Sequence, residues 1–214
     1  MRHGRGIQTF KDGSKYVGQW LNDKPNGEGK LIYENGDLYE GNFKDGQAKG
    51  YGKFTQKNGS VYIGNWKNNL QEGEGEEICS DGARYKGEFH LGEKEGKGEF
   101  LYPEGSKYIG NFKKNKMEGH GVYIFSDGKR YEGDWVNNKI EGNGKFTWPD
   151  GKEYEGGYKN DKKDGYGIMK WPDGRMFKGY WKEGKQHGEG EYYSKDKNKW
   201  RKGIWENGKK IKWL

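Results

Sequence analysis

The sequence predicts an all-β protein: an elongated, twisted, single-layer antiparallel β-meander of about nine hairpin repeats, each 23 residues long. A glycine two positions after a recurrent aromatic, and a second aromatic two positions further on, keep constant spacing along the chain. A fixed period of this length indicates stacked supersecondary units. The recurrent aromatic stands at Tyr16, Tyr39, Tyr62, Tyr85, Tyr108, Tyr131, Tyr154 and Phe177.

Each repeat supplies two short strands. In residues 27–49 the turn signal is Asn35-Gly36, and Asp-Gly, Asn-Gly or Glu-Gly stands at the same place in the other repeats. Such dipeptides between alternating segments favour tight hairpins, because Gly and Asn tolerate positive φ. The strand before the turn reads Gly-x-Gly-x-x-x-x, and the strand after it reads x-Tyr-x-Gly-x-Trp. A loop of about six residues is expected to lead into the next repeat, which gives about 18 strands and almost no helix.

Period-two alternation places Tyr39, Gly41 and Phe43 on one face of the sheet and Glu40 and Asn42 on the other. A large ring can lie across the space that a mid-strand glycine leaves and cover its bare backbone. This explains why 40 glycines occur together with 9 Trp, 16 Tyr and 9 Phe residues. A single layer is nevertheless expected to be too thin to bury all of these rings by itself.

The net charge of +7 is concentrated at one end of the chain. Residues 195–214 contain eight basic and two acidic side chains, so the rest of the chain is nearly neutral. We therefore divide the chain into a repeat array, residues 1–194, and a divergent basic C-terminal repeat or cap, residues 195–214. The array has no basic stripe that could neutralise phosphates, so we predict that it does not bind nucleic acid.

Residues with catalytic or metal-binding chemistry are few and scattered. The Gly-x-Gly pairs lack both the third glycine of a dinucleotide site and the Gly-Lys-Ser/Thr of a P-loop. The four histidines lie in different repeats without ligand spacing, and the single cysteine, Cys79, has no neighbouring histidine. We predict no enzymatic activity, no metal and no cofactor.

The same sequence indicates a cytoplasmic protein. One cysteine cannot form an intrachain disulfide, which fits a reducing compartment. The first residues lack the apolar segment of a signal peptide, and no apolar run is long enough for a membrane-spanning helix.

Two sets of residues are candidate contact sites. Exposed apolar patches mark interaction surfaces and Trp often anchors them, so an aromatic trough could serve a partner; the alternative is that the rings only cover their own sheet. Lys209, Lys210 and Lys212 either protect a sheet edge, grip an acidic partner or contact an anionic membrane. The candidate trough residues are Trp66, Trp135, Trp148, Trp171 and Trp181.

The repeated Tyr-x-Gly-x-Trp pattern, with nine Gly-x-Gly pairs from Gly4/Gly6 to Gly188/Gly190, resembles the MORN repeat (membrane occupation and recognition nexus). Departures are Tyr158 in place of Trp or Phe, Phe177 in place of Tyr, and a ring-poor strand at residues 76–79. The resemblance implies non-catalytic scaffold and docking modules, as in ciliary radial spoke heads and protist cytoskeletal collars. It fits a stand-alone structural protein of the ciliary or flagellar axoneme, with partners among other proteins of that complex.

Two alternatives remain open at this point. One is a peripheral membrane scaffold that binds anionic phospholipids through the basic C-terminal end. The other is a regulatory subunit of an enzyme complex. The open sheet ends near residues 5–10 and 209–214 would also allow a homodimer or end-to-end association.

Overall fold

The computed structural model describes all residues from Met1 to Leu214. It contains 19 strands and no helix, so the predicted all-β antiparallel meander is confirmed. One strand more than expected arises because residues 209–213 continue the pairing at the C-terminal end. Contacts group the chain into two compact units, Met1–Pro103 with Phe112–Asn115, and Glu104–Asn111 with Lys116–Leu214.

Consecutive strands pair antiparallel within each unit, from the first to the ninth strand in the first unit and from the eleventh to the nineteenth in the second. In chain order the strands are β1 Gly4–Thr9, β2 Lys15–Leu21, β3 Lys24–Ile32, β4 Leu38–Lys44, β5 Gln47–Thr55, β6 Val61–Lys67, β7 Leu70–Ile78, β8 Arg84–His90, β9 Glu93–Leu101, β10 Lys107–Lys113, β11 Lys116–Ile124, β12 Arg130–Val136, β13 Lys139–Thr147, β14 Glu153–Lys159, β15 Lys162–Lys170, β16 Met176–Lys182, β17 Lys185–Ser194, β18 Lys199–Glu206 and β19 Lys209–Trp213.

The two kinds of turn differ from the sequence prediction. The predicted six-residue loop is a two-residue turn, for example Asp45-Gly46, and Gln47 already pairs with Lys44. Both turn residues have positive φ, 52° and 85°, which is the signature of a type I′ hairpin. The Asn and Asp residues at these turns tolerate that conformation.

The Asn35-Gly36 turn is the wider of the two. Its backbone is closed by Tyr33 N–H donating to the Asp37 carbonyl (2.9 Å) and Gly36 N–H donating to the Tyr33 carbonyl (3.0 Å). Only Gly36 has positive φ there, which fits a type I turn followed by a left-handed glycine. The dipeptide therefore marks the turn correctly but does not make it the tight one.

The two glycines of each Gly-x-Gly pair have different structural roles. In β13, Gly142 has a φ of 66° and lies in a β-bulge opposite the interval between Gly133 and Trp135. Gly144 pairs directly with Gly133, and a Cβ on Gly144 would lie closer than 3.0 Å to the ring of Tyr131. Real Cβ atoms essentially never make such contacts, so the tyrosine ring occupies the space of the missing side chain.

The tyrosine hydroxyls explain why the ring stays in this position. The Tyr131 hydroxyl donates to the carbonyl of Asp134 (3.2 Å), three residues further along its own strand. Tyr39 makes the same bond to Asn42 (3.0 Å). Each tyrosine ring therefore lies along its own strand, pointing toward later residues, and covers the two paired glycines. Its hydroxyl donates a hydrogen bond to a carbonyl at the bulge.

In the first unit the rings form a continuous zigzag. Trp66 packs edge-to-face between Tyr39 and Tyr62, with both ring centroids 5.1 Å away and interplanar angles of 86° and 89°. Phe43 lies in the same way between Tyr16 and Tyr39, at 5.0 Å from each. Edge-to-face pairs at these distances are favourable beyond the area that they bury.

The second unit repeats this arrangement. Trp135 packs between Tyr108 and Tyr131, at 5.4 Å from each, and Tyr158 packs between Tyr131 and Tyr154 at 5.3 Å. The rings form two rows: a first row at the positions equivalent to Tyr39, and a second row at the positions equivalent to Phe43. The expectation that a single layer cannot bury its rings is wrong for these two rows, because neighbouring rings cover one another. Seven rings of the first row are less than 2% exposed: Tyr16, Tyr39, Tyr85, Tyr108, Tyr131, Tyr154 and Phe177.

Tyr158 carries a buried hydroxyl without a hydrogen-bond partner, and burial raises its pKa. An unsatisfied buried donor costs about 1–3 kcal/mol. We expect Tyr158→Phe to raise the free energy of unfolding by about 1 kcal/mol in urea titrations. The matched control is Tyr154→Phe, which loses a hydroxyl that donates to the Gly157 carbonyl (3.0 Å) and should destabilise the protein instead. Equal effects of the two changes would contradict this explanation.

Candidate protein-docking site

The structure separates the five candidate tryptophans into two groups. Trp66, Trp135 and Trp181 are buried in the ring rows, with 8%, 4% and 7% of their surface exposed. Trp148 and Trp171 are only half-buried. The prediction of an aromatic docking surface therefore narrows to Trp148 and Trp171.

The three buried indoles serve their own sheet. The Nε1 atom of Trp66 donates to the Gly52 carbonyl (3.2 Å), and that of Trp181 donates to the Gly167 carbonyl (3.3 Å). Trp135 makes the same bond at 3.4 Å to a glycine 14 residues earlier. Their N–H groups are thus satisfied inside the fold and are unavailable to a partner.

Trp148 and Trp171 lie where the Gly-x-Gly strand runs into the wide turn. The Trp148 backbone N–H donates to the Lys152 carbonyl (2.9 Å) and its carbonyl accepts from Gly151 N–H (2.9 Å). Trp171 makes the equivalent pair of bonds with Arg175 and Gly174, both at 2.9 Å. Since these bonds fix the backbone, both indoles are held at the margin of the sheet and not inside a ring row.

Other half-buried rings continue this margin. Phe146 lies 4.4 Å from Trp148 and 5.6 Å from Phe125, and Phe125 lies 4.6 Å from Tyr123. Trp171 lies 6.4 Å from Tyr192. We call this set of six residues of the second unit the ring margin: Tyr123, Phe125, Phe146, Trp148, Trp171 and Tyr192.

The sequence contained a signal for the whole margin. Its members stand two or four residues after the second glycine of each Gly-x-Gly pair, as Phe146 and Trp148 follow Gly144. Period-two alternation puts these positions on the ring face. Phe125, Trp148 and Trp171 directly follow the last residue of a strand, so no paired strand residue covers them.

Cations lie over the exposed rings. Lys152 Nζ is 4.4 Å and Lys163 Nζ is 5.5 Å from the Trp148 ring centroid. Arg175 Cζ is 5.5 Å from the Trp171 ring, and its Nε donates to Asp173 (2.6 Å). Cation–π pairs of this kind contribute about 0.5–1 kcal/mol when exposed and more when desolvated. The ring margin is therefore aromatic and locally positive.

Lys163 is a half-buried member of this group. Its Nζ lies 4.7 Å from the Trp181 ring and 5.0 Å from the Tyr154 ring. Burial, with a smaller contribution from the charge of Lys152, lowers its pKa to about 8. In the repeats before it, Met117 and Ile140 occupy the equivalent position.

The depressed pKa of Lys163 predicts a pH dependence of stability. The folded state favours the neutral amine, so unfolding takes up a proton between about pH 8 and pH 10.5, the ordinary lysine pKa. Wild-type stability should rise as pH increases through this interval, and Lys163→Met should remove that slope and raise the melting temperature at pH 7. Lys182→Met, at an exposed lysine, serves as control. A slope that persists in Lys163→Met would contradict the prediction.

The first unit has fewer contacts between rings at the equivalent positions. Tyr33 lies 6.0 Å from Phe54, and Phe54 lies 6.1 Å from Trp66. In the next repeat Glu77 takes the place of the phenylalanine and accepts a hydrogen bond from Lys94. The ring-poor strand therefore contributes Glu77 to a partly buried ion pair with Lys94 of β9, which interrupts the row of rings.

The C-terminal lysines lie on the last strand. β19 pairs with β18, and Lys209, Lys210 and Lys212 are all exposed. Lys210 Nζ lies 4.3 Å from the Trp213 ring centroid, while Arg201 Cζ lies 4.2 Å from it. Lysines on a terminal strand are the usual protection of a sheet edge.

The structure does not bring His, Cys, Asp and Glu side chains together into a metal-binding site. His120 lies 3.6 Å from Asp134 and 3.9 Å from Glu132, all exposed at the surface. No group of three or more His, Cys, Asp and Glu side chains is arranged to hold a metal ion. The structure contains no helix that is long and apolar enough to cross a membrane.

Two solved structures to which the chain is similar are TCP domains of CPAP proteins. The chain matches the wild-type TCP10 domain of Danio rerio CPAP, in complex with a peptide of Danio rerio STIL, with 14% identity, 99% of both chains covered and a TM-score of 0.52. It matches the SAS-4 (dCPAP) TCP domain of Drosophila melanogaster, in complex with a proline-rich motif of Ana2, with 16% identity, 72% and 90% covered and a TM-score of 0.42. The first match shows a shared fold.

The family comparison extends over nearly the entire sequence. The MORN repeat matches at residues 1–15, 16–38, 39–61, 62–84, 85–107, 108–130, 131–153, 154–174 and 177–199. The boundaries fall at the tyrosines that cover the paired glycines, so the matched unit is also the structural one. The chain belongs to the MORN-repeat family.

Proposed function

We propose that this protein is a non-catalytic scaffold that docks a segment of another protein on the ring margin. One observation carries the proposal: the fold buries its two ring rows against the sheet but leaves Trp148 and Trp171 half-exposed beside three cations. Trp, Tyr and Arg are enriched among the residues that dominate the energy of protein interfaces.

The charges specify the chemistry of the partner. Lys152, Lys163 and Arg175 surround the two indoles, and Asp173 neutralises only Arg175. A segment that presents apolar side chains flanked by Asp or Glu complements this surface. Acidic groups of the partner would accept hydrogen bonds from the lysines while its apolar groups pack on the rings.

Two further facts support a docking role. MORN repeats serve as protein-interaction modules, and the TCP10 domain that shares this fold was solved with a peptide bound. We further propose that the protein works in a cytoskeletal assembly of the cytoplasm, specifically the ciliary or flagellar axoneme with its radial spokes, as the resemblance to stand-alone MORN-repeat proteins of that structure implies. The basic C-terminal end serves edge protection and contact with acidic partners.

Affinity capture with the full chain from ciliated cells, read by mass spectrometry, tests the docking proposal. We compare wild type with the double variant Trp148→Gln/Trp171→Gln and with Tyr180→Gln, a more exposed ring on the opposite face. Axonemal proteins should be captured by wild type and by Tyr180→Gln but not by the double variant. Capture of the same proteins by all three chains would refute docking at the ring margin, and capture of proteins from another compartment would refute the axonemal assignment.

Liposome sedimentation tests the role of the basic end. Wild type and the variant Lys209→Gln/Lys210→Gln/Lys212→Gln are mixed with phosphoinositide vesicles at physiological salt. The proposal predicts little sedimentation of either chain. Strong sedimentation of wild type that the variant loses would favour a peripheral membrane scaffold instead.

A further inference from the structure

Lys163 has a structural counterpart three repeats earlier, Lys94 of β9. Each lysine is paired, across its antiparallel strands, with the second aromatic of the repeat. The Nζ atom of Lys94 lies 5.2 Å from the centroid of the Tyr85 ring. The Nζ atom of Lys163 lies 5.0 Å from that of the Tyr154 ring. The two ammonium groups therefore have the same place over the ring rows, one in each unit.

The two lysines differ in their counter-ion. The Glu77 carboxylate accepts a hydrogen bond from Lys94 Nζ and forms an ion pair with it. The residue three repeats after Glu77 is Phe146, which stands at the same position of the repeat that precedes Lys163. Because phenylalanine carries no charge, Lys163 lacks the anion that neutralises Lys94.

No other acidic side chain supplies that charge. On the same strand, Lys162 pairs with Glu183, and Asp164 accepts a hydrogen bond from the Glu183 backbone N–H (3.4 Å). The charged group that acts on Lys163 is Lys152, which is itself a cation. Lys163 is thus an unpaired ammonium among aromatic rings, with a second positive charge nearby.

These surroundings favour the neutral amine of Lys163. Burial and the charge of Lys152 lower its pKa to about 8. At pH 7.4 about a fifth of Lys163 side chains are then neutral, against roughly one in a thousand for an ordinary lysine. Lysines that are desolvated in an apolar site or placed beside another cation are activated nucleophiles.

The amine also remains accessible from solvent. Lys163 is half-buried, and its Nζ donates no hydrogen bond to a protein group. The fully buried side-chain atoms without a hydrogen-bond partner are the Tyr158 hydroxyl and His187 Nδ1, and Lys163 Nζ is not one of them. Its lone pair is therefore neither occupied nor sealed from a small electrophile.

We propose that Lys163 is a covalent modification site that is acylated by acyl thioesters. The neutral amine attacks the thioester carbonyl, so that a C–N bond forms and the C–S bond breaks. The amine gives up one proton and the departing thiolate takes one up, which leaves an amide and a free thiol. The amide carries no charge and lacks the cation of the lysine. It suits this site, because Met117 and Ile140 occupy the equivalent positions of the two preceding repeats and are buried there.

The small uncharged thioester S-acetyl-N-acetylcysteamine is the probe. The full chain is incubated with it at pH 7.4, and peptide mass spectrometry follows the acetylation of each lysine with time. We expect Lys163 to be acetylated at least ten times faster than Lys94 and than the exposed Lys182. A Lys163 rate no higher than that of Lys182 would overturn the proposal.

A carboxylate placed at position 146 tests the cause. Phe146→Glu supplies the missing counter-ion and should slow acetylation of Lys163 at least tenfold. Phe146→Gln has nearly the same size without the charge and should leave the rate within about threefold of wild type, because the pKa of Lys163 stays low. Circular dichroism establishes that both variants are folded. Equal slowing by the two substitutions would refute control by the counter-ion.

Glu77→Phe is the reciprocal test in the first unit. It introduces the residue that Phe54 and Phe100 provide in the neighbouring repeats, so it remains informative even if Phe146→Glu does not fold. Removal of the counter-ion should speed acetylation of Lys94 at least tenfold. An unchanged Lys94 rate in the folded variant would contradict the proposal. These measurements detect the modified lysine itself, so their outcome is independent of docking at the ring margin.

Discussion

Replacing Gly144 by alanine is expected to destabilise the second unit by about 3 kcal/mol, although it adds a single methyl group. That methyl would lie closer than 3.0 Å to the Tyr131 ring, which is fully buried between Trp135 and Tyr158. The ring cannot tilt away without disturbing both neighbours and its hydroxyl bond to Asp134. Overpacking typically costs about 1–3 kcal/mol, and the upper end applies where nothing can move.

Gly6→Ala is the matched control, because Gly6 has the same place in its repeat but no ring above it. Its Cβ would approach only the Trp20 indole, at 3.3 Å. We expect a loss of less than about 1 kcal/mol. Urea titrations with hydrogen exchange in β12 and β13 measure both effects. Similar losses for the two variants would mean that the ring does not cause the sensitivity of Gly144.

Truncating Trp135 to alanine is expected to cost about 3–5 kcal/mol. The indole is 4% exposed, packs edge-to-face on Tyr108 and Tyr131, and donates to the Gly121 carbonyl. The truncation removes two ring contacts, leaves a cavity and leaves that carbonyl without its donor. The free energy of unfolding from denaturant titration gives the loss.

Trp135→Phe is the control for that truncation. Phe43, Phe89 and Phe112 fill the equivalent position in other repeats and are about as buried as the tryptophans. We expect a loss of about 1–2 kcal/mol, from the missing hydrogen bond and a smaller ring. If the phenylalanine variant were as unstable as the alanine variant, edge-to-face packing would not be the source of stability.

The sequence predicts the repeat, the two strands and the faces of the sheet, because period-two alternation and period 23 both act within a few residues. Turn geometry is less accessible. Asn35-Gly36 reads as a type I′ hairpin, but the residues that adopt two consecutive positive φ values are Asp45 and Gly46. Strand pairing decides this, since Gln47 bonds to Lys44 and leaves only two residues for the turn.

Burial of the rings is the property that the sequence did not predict correctly. Counting rings against one layer of sheet suggests exposed aromatics at Trp66, Trp135 and Trp181. The edge-to-face zigzag buries them, and this depends on a Tyr–Trp offset of 27 residues between successive repeats, as from Tyr39 to Trp66. Trp148 and Trp171 stay half-exposed because each directly follows the last residue of a strand, where the wide turn begins.

These observations connect the fold to its proposed use. The ring rows and paired glycines are committed to covering backbone, and their substitution should act on stability before it acts on binding. The ring margin is where aromatic side chains of the same kind are left half-exposed. Binding studies should therefore target Trp148 and Trp171 and use the buried tryptophans only as controls for folding.

A double-mutant cycle between Tyr131 and Gly144 tests most directly whether rings over bare glycine hold the fold together. The four chains are wild type, Tyr131→Leu, Gly144→Ala and the double variant, compared by denaturant unfolding. The account predicts that Gly144→Ala is costly beside tyrosine and nearly neutral beside leucine, with a coupling energy of about 2 kcal/mol or more. Additive effects of the two substitutions would contradict it.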